Sequence, residues 1–481
     1  MIVPLVQEFD ARVEWLNALI TDPGGSRYFT KSQAERVRDL EAQLEHTADF
    51  LEFAGSPHKT FPAIHVAGTS GKGSVVTMIG VILAGCQLRT AWHTSPYLQV
   101  CIEKLMLDGR PIAPSEFIEL VDRFRRLYES WRAAREDVSL CYVEAWAALT
   151  YMCFAQQAVD WAVIETSMGG RFDPTNVLPS RLAVITNIDF DHTEVLGSSL
   201  ADIAYHKAGI IKENQVAITA ATDATALRVI RQEAAQKNAR LYCLGEDFDF
   251  VVKATAPGET LVMVRAPHRR YDDVRVGMSG LFQPANAALA VAAADVLAHE
   301  YGLPIAAESV SAALAEVRFA GRMEVIQSAP LVILDGAHNP HKMQALIDSL
   351  RAIYPGRKVV AVLGILMVKD ARAMVSALLP MLSRVVVSQP YVPGKPSLPP
   401  QALAAIIRDT APGLPLQVAD SVQQGIALAL EELDAGDLVL VTGSLYMVGE
   451  ARNYWVPREQ LLRAIEQGKH NTDAHGLHGC E

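Results

Sequence analysis

The sequence predicts an α/β protein of two tandem domains, each on a mainly parallel sheet, the second smaller and Rossmann-like. Three observations carry that expectation. From Ile64 onward, short β-branched runs alternate with longer helical stretches, the pattern of strands joined by crossover helices. A second, shorter series of the same kind starts with Leu331. Finally, the apolar run Ile64-His65-Val66-Ala67 empties into Gly68-Thr69-Ser70-Gly71-Lys72-Gly73-Ser74, a strand-to-loop junction suited to an anion.

The bulk composition sets the frame. With 481 residues, 50% of them hydrophobic, the chain can bury two sizeable cores. A formal charge of −11 provides no basic footprint for nucleic acid, leaving only local runs such as Arg265-Ala266-Pro267-His268-Arg269-Arg270. Small-molecule partners are therefore the default, and a monomer is expected. The first residues lack the basic flank and long apolar run of a leader, and no apolar run approaches a membrane span, so a cytoplasmic location is expected. Six scattered cysteines form no CxxC pair, which argues against a zinc site or a disulfide framework.

In chain order, the Gly/Lys/Ser loop comes first. Gly68, Gly71 and Gly73 let the backbone turn its N–H groups inward, Lys72 adds a point charge, and Ser74 a hydroxyl able to reach Mg²⁺. Val75 to Leu83 reads as a buried helix whose dipole faces the same anion. The loop departs from the common pattern at Val66, where a glycine is usual, and at Gly73, which separates Lys72 from Ser74. A Gly-rich turn leading into a core helix is the plain alternative.

Strands follow at Ala91-Trp92, Trp161 to Ile164, Leu182 to Ile185 and Gln215 to Ile218. Leu241 to Val276 alternates like antiparallel strands and reads as an insertion. A boundary is expected within 317–328, giving domains at 1–318 and 319–466. The second series comprises Leu331 to Leu334, Val359 to Leu363, Val385 to Val387 and Leu438 to Val441. Pro-rich Tyr391 to Pro400 reads as a surface loop, and Gln467 to Glu481 as a disordered tail.

Open α/β sheets place ligands at the ends of their strands, and three ends here carry polar groups. They contribute Ser95, Glu165 and His192, a hydroxyl, a carboxylate and an imidazole that together could complete a Mg²⁺ shell around a nucleotide. Each also has an ordinary structural reading: a turn cap for Ser95, an ion pair with Arg171 for Glu165, a satisfied loop histidine for His192.

Six ordered motifs now point one way: Gly68 to Ser74, Glu165 to Asn176, Asp191 to Gly197, Lys207-Ala208-Gly209-Ile210, Asp335-Gly336-Ala337-His338-Asn339-Pro340 and Thr442-Gly443-Ser444-Leu445-Tyr446. Together they resemble the folylpolyglutamate synthase/dihydrofolate synthase family of Mur-type ligases. The resemblance implies a P-loop ATPase domain of the Mur ligase central-domain type. It also implies a reaction in which ATP phosphorylates a pteroate or folate carboxylate and the amino group of glutamate displaces the phosphate.

By the same resemblance, Gly71, Lys72, Gly73 and Ser74 hold the ATP phosphates, and Ser95, Glu165 and His192 bind Mg²⁺. Lys207 matches a lysine that the family carries as a carbamate. Asn286 resembles the adenine contact, Arg322 a phosphate contact from the hinge, and Asp335 the ribose partner. Glu144, Phe172 and Asp173 fall where the family places the pterin, while His338, Asn339 and Ser444 neighbour the incoming amino acid. The catalytic set so implied is Lys72, Glu165, His192 and Lys207. The chain departs from the family at Ser70, at His206, at Met367 before Val368-Lys369-Asp370, and in Gln33-Ala34-Glu35-Arg36, which keeps only the arginine of an N-terminal element. These departures leave open a rival reading, a Mur-type ligase joining another carboxylic acid to an amino acid, and a more distant one, a nucleotide-switched binding protein.

Overall fold

The structure, a computed structural model, describes residues 2–22, 30–135, 138–431, 433–434 and 436–468. The first domain is built on an eight-stranded sheet. Its strands are β1 (Ala63–Ala67), β2 (Thr90–His93), β3 (Met106–Leu107), β4 (Arg110–Pro111), β5 (Trp161–Glu165), β6 (Leu182–Ile185), β7 (Val216–Thr219) and β8 (Arg240–Cys243), in the spatial order β4-β3-β2-β5-β1-β6-β7-β8. β3 runs antiparallel to both β2 and β4, and the other pairs are parallel.

β1, β5 and β6 are buried along their whole length, which is why they read as continuous apolar runs. Alternate residues of β1 divide between the sheet faces. Ile64 and Val66 join the core of helices Lys72–Gly85 and Gln283–Tyr301, whereas Ala63 and Ala67 enter the cores of the opposite face. With the later strands β5 and β6 on either side, the C-terminal end of β1 opens a crevice, and the loop 68–74 leaves from there.

The expected antiparallel insertion needs one correction. Arg240–Cys243 belongs to the main sheet, with Leu241 paired in parallel to Ala217. Only β9 (Asp249–Ala256), β10 (Glu259–Arg265) and β11 (Arg270–Val276) form the separate antiparallel sheet. A half-exposed edge strand alternates in hydropathy whichever way its neighbour runs, so the sequence pattern could not separate the two.

The second domain has six strands: β12 (Glu324–Ser328), β13 (Leu331–Leu334), β14 (Val359–Leu363), β15 (Leu382–Val387), β16 (Leu416–Val418) and β17 (Leu438–Thr442). Their order is β12-β13-β17-β14-β15-β16. Only β12 is antiparallel to its neighbour. The expected limit at residue 466 is also corrected. Helix Arg458–Glu466 packs Leu461, Leu462 and Ile465 into the same core as Phe9, Phe117 and Val121, so the chain returns to the first domain. Its apolar residues lie one, three and four apart, the spacing of a helix with one buried face, and Pro457 breaks it from the helix before. Of the expected tail, residues 469–481 lie outside the described residues.

No helix among the described residues is long and apolar enough to cross a membrane. The basic turn at 265–270 is neutralised locally. Arg265 pairs with Asp249, Arg270 with Asp272, and Arg269 donates to the Ile305 carbonyl.

Candidate active site

The glycines of the loop are required by contacts as well as by conformation. Gly71 caps helix Lys72–Gly85 with φ +80°, and a Cβ there would lie 2.3 Å from Asn286 Oδ1. At Gly68 a Cβ would lie 1.7 Å from Thr186 Oγ1. The loop is tied to the next strand end: Ser70 N donates to Asn187 Oδ1 at 2.8 Å, and Thr186 Oγ1 to the Ser70 carbonyl at 2.6 Å. Ser70 Oγ itself is buried with no partner among the described residues, a donor awaiting an acceptor.

A cavity of about 600 Å³ opens at this point between the domains. It is lined by Gly71, Lys72, Gly73, Ser74, Ser95, Glu165, Asp173, His192, Lys207 and Asn286 from the first domain, and by Arg322, Asp335, His338 and Ser444 from the second. Ser95, Glu165 and His192, expected together from their strand ends, thus share one space with residues that the resemblance added. Glu165 accepts from Ser95 N at 3.0 Å and faces Lys72 Nζ at 3.9 Å; its expected alternative partner, Arg171, pairs with Glu233 instead. Burial raises the Glu165 carboxyl, and Lys72 and the Ser95 N–H oppose the rise.

Lys207 is 3% exposed and donates to the Gly68 carbonyl at 2.8 Å. Burial, with Lys72 adding repulsion, holds its amine well below the usual lysine range. Asp335 accepts from Met323 N and Ala337 N at 2.9 and 2.8 Å. Burial raises its carboxyl against the pull of Arg322. His338 Nδ1 lies 2.8 Å from the Gly336 carbonyl, which can only accept, so that nitrogen carries the proton. Its Nε2 then accepts from Lys342 Nζ at 2.9 Å.

Three expected substrate residues are not on the cavity wall. Phe172 stands edge-on to His206, with centroids 5.7 Å apart. Asn339 caps helix Pro340–Ile353 through Lys342 N at 2.8 Å. Glu144 turns back to Cys141 N at 2.7 Å, its other oxygen 3.6 Å from His46 Nδ1, while its neighbours Tyr142, Val143 and Trp146 face the cavity. Asp173 does line it, but is engaged by Met168 N and Thr175 N at 2.8 and 3.0 Å and so holds a turn.

The structure adds residues that sequence reading missed. Lys342 and Lys369 reach across to Asp191, and Lys104 and Lys395 also line the cavity. Lys342 carried a signal: a cation in the first turn of a helix opposes the dipole and asks for a reason. Part of the Tyr391 to Pro400 loop, expected at the surface, lines the cavity through Val392, Pro393, Gly394 and Lys395, although Tyr391 is exposed.

A second donor cluster, His268, His299 and Glu300, lies outside this cavity. Its imidazoles stack 3.8 Å apart with planes 15° from parallel, and Arg240 holds Glu300. Ring lone pairs in near-parallel planes do not converge on one ion.

Comparison with known proteins agrees with this architecture. Residues 143–294 match the Mur ligase middle domain and residues 321–445 the Mur ligase glutamate ligase domain. The chain is 30% identical to the dihydrofolate synthase/folylpolyglutamate synthase of Mycobacterium tuberculosis over 86% of its own length and 90% of that protein's. It is 31% identical to the folylpolyglutamate synthase of Lacticaseibacillus casei, over 84% and 92%. Among solved structures, the M. tuberculosis folylpolyglutamate synthase complexed with ADP superposes with a TM-score of 0.84 at 29% identity, covering 93% of this chain and 98% of that one. An FPGS–AMPPCP–folate complex follows at 0.75 and 28%, covering 88% and 99%. With the domain order, the site and these likenesses in agreement, the chain belongs to the folylpolyglutamate synthase/dihydrofolate synthase family of Mur ligases.

Proposed function

We propose that the protein is an ATP-dependent ligase that joins a pteroate or folate carboxylate to the amino group of glutamate through an acyl phosphate. The observation that carries this reading is the shared cavity: a phosphate loop and a hard-donor set from one domain face an imidazole, a carboxylate and a helix N-terminus from the other.

The loop N–H groups, the dipole of helix Lys72–Gly85 and the ammonium of Lys72 receive the ATP phosphates, and Arg322 adds positive charge from the hinge. Asn286 and Asp335 are assigned to adenine and ribose. The acceptor carboxylate takes the γ-phosphoryl group and ADP leaves. The glutamate amine then attacks the acyl carbon, phosphate departs, and the nitrogen loses a proton. Closure between the domains holds the acid and the amine in line. His338, neutral with Nδ1 protonated, and Ser444 flank the amine's approach.

The hydroxyl of Ser95 and the carboxylate of Glu165 are oxygen donors that suit Mg²⁺, with the imidazole of His192 as a third donor, and Glu165 makes no ion pair closer than Lys72 at 3.9 Å. When bound there, the ion supplies charge neutralisation at the phosphate oxygens. Lys207 is assigned as a carbamate. Its depressed amine is the unprotonated form that bonds the carbon of CO₂ with release of one proton, turning a neutral amine beside Lys72 into an anion.

The deciding experiment incubates the protein with ATP, glutamate and a panel of dihydropteroate, tetrahydrofolate and unrelated acids, and identifies the amide by mass. A pteroyl- or folyl-glutamate with matching ADP is expected. Product only from an unrelated acid would transfer the protein to the rival ligase class, and ATP binding without any amide would make it a switch.

A further inference from the structure

The cavity wall also carries two cations, Lys104 and Lys395, that the chemistry above does not use. Lys104 closes the short turn Cys101–Lys104 and is 5% exposed. Its ammonium lies 4.3 Å from the Trp146 ring centroid, 5.1 Å from that of Tyr142 and 5.9 Å from that of Tyr97. All four residues line the cavity. From the other domain Lys395 reaches the same cavity, donating to Tyr446 Oη at 2.9 Å, and Tyr446 lies two residues beyond Ser444.

Ring faces stabilise an ammonium only in part, and a buried cation without an anion is unfavourable. Burial accordingly brings the Lys104 amine down to about 7; Cys101 and Glu165 pull it up, while Lys395 pushes it down. No carboxylate of the described residues reaches ion-pair distance of it, so a ligand carboxylate would complete the box.

Three substrates must share the cavity. The phosphates of ATP belong at the loop, and the acceptor presents its reacting carboxylate to them. A pteroate brings no other carboxylate and a folate keeps one unreacted, whereas the amine donor brings two that must stay unreacted while its nitrogen faces the acyl group. An aromatic box on the first domain, faced by Lys395 and Tyr446 of the second, suits a group held between the domains at closure.

We propose that Lys104, positioned by Tyr97, Tyr142 and Trp146, binds a carboxylate of the incoming amino acid. The assignment rests on the ligase reading above and identifies a specificity-determining residue within it.

The test is steady-state kinetics of the full chain with ATP, folate acceptor and glutamate each varied, for the unaltered protein, Lys104→Met, Lys104→Gln and Lys104→Arg, with melting temperatures measured alongside. KM for glutamate should rise about tenfold or more in the Met and Gln variants, KM for ATP and acceptor staying within about twofold, because a charge-assisted contact is lost from one substrate only. Lys104→Arg should recover most of the glutamate affinity, since a guanidinium stays charged in the box. If the Met variant melts early, the polar Gln variant decides. An unchanged KM for glutamate, or an equal rise in all three KM values, overturns the assignment while leaving ligation intact. Absence of any amide from the unaltered protein overturns the ligase reading itself, and this assignment with it.

Discussion

The Lys369 ammonium lies 2.9 Å from the Asp191 carboxylate, so the second domain grips the first one residue before His192. Lys342 approaches the other oxygen at 3.5 Å, and Asn339 Nδ2 stands 3.4 Å from that oxygen. His341 pairs with Asp189 at 2.6 Å two residues earlier. Burial alone would raise the Asp191 carboxyl; His192, Lys342 and Lys369 outweigh it and hold the group well below the usual carboxylate range. A neighbour of an expected metal ligand therefore doubles as the clasp between the domains.

Asp191→Ala should loosen that clasp and leave two half-buried lysines without their anion. A fall in kcat of roughly tenfold to a hundredfold is expected, with ATP affinity changed far less, because the phosphate loop belongs wholly to the first domain. Small-angle scattering with bound nucleotide should show a more open particle. Unchanged kcat would remove the clasp from the mechanism.

Gly71→Ala should weaken nucleotide binding by roughly a factor of ten or more, since a left-handed backbone and a clash with Asn286 both oppose the new methyl group. Calorimetric titration with ATP measures it, and circular dichroism checks that the fold persists. Affinity equal to that of the unaltered protein would show that the loop can relax around a side chain.

Lys207→Ala should lose most of kcat and recover part of it with added acetate or formate if the residue works as a carbamate. A labelled carbonyl resonance from ¹³CO₂, absent in the variant, would report the adduct directly. Full activity without rescue would leave Lys207 a structural amine bonded to Gly68.

Glu144 gives a stability prediction whose sign follows from its burial, which raises the carboxyl from the usual 4.5 to about 7. The folded state then holds its proton more tightly than the unfolded chain. Its contribution is complete below pH 4.5 and is lost as pH rises through about 7. Urea unfolding should show the unaltered protein losing up to about 3 kcal/mol relative to Glu144→Gln between pH 4 and 8. Parallel pH profiles for the two proteins would show that the carboxyl is not shifted.

The sequence was most informative where one local rule decided the outcome. β1, β5 and β6 read as strands because parallel strands buried on both faces must be apolar throughout. The phosphate loop was legible because tight turns need glycine. β12 and β16 went unseen: one begins only two residues after the hinge arginine and the other is three residues long, too short for a period to show. Phe172, Asn339 and Glu144 sat in the right motifs, yet their side chains turned to His206, a helix cap and Cys141. Direction at a turn is set by the neighbours that compete for each polar group.

By itself the sequence determined the two parallel-sheet units, the anion loop and the residue types at each strand end, because these follow from periodicity and backbone freedom within a few residues. Only the tertiary structure decided that helix Arg458–Glu466 returns to the first domain, that Asp191 meets Lys369, and that Lys104 lies in a box of three aromatic rings. Those relations join residues tens to hundreds of positions apart. They depend on how two closed cores pack against each other, which no local pattern encodes.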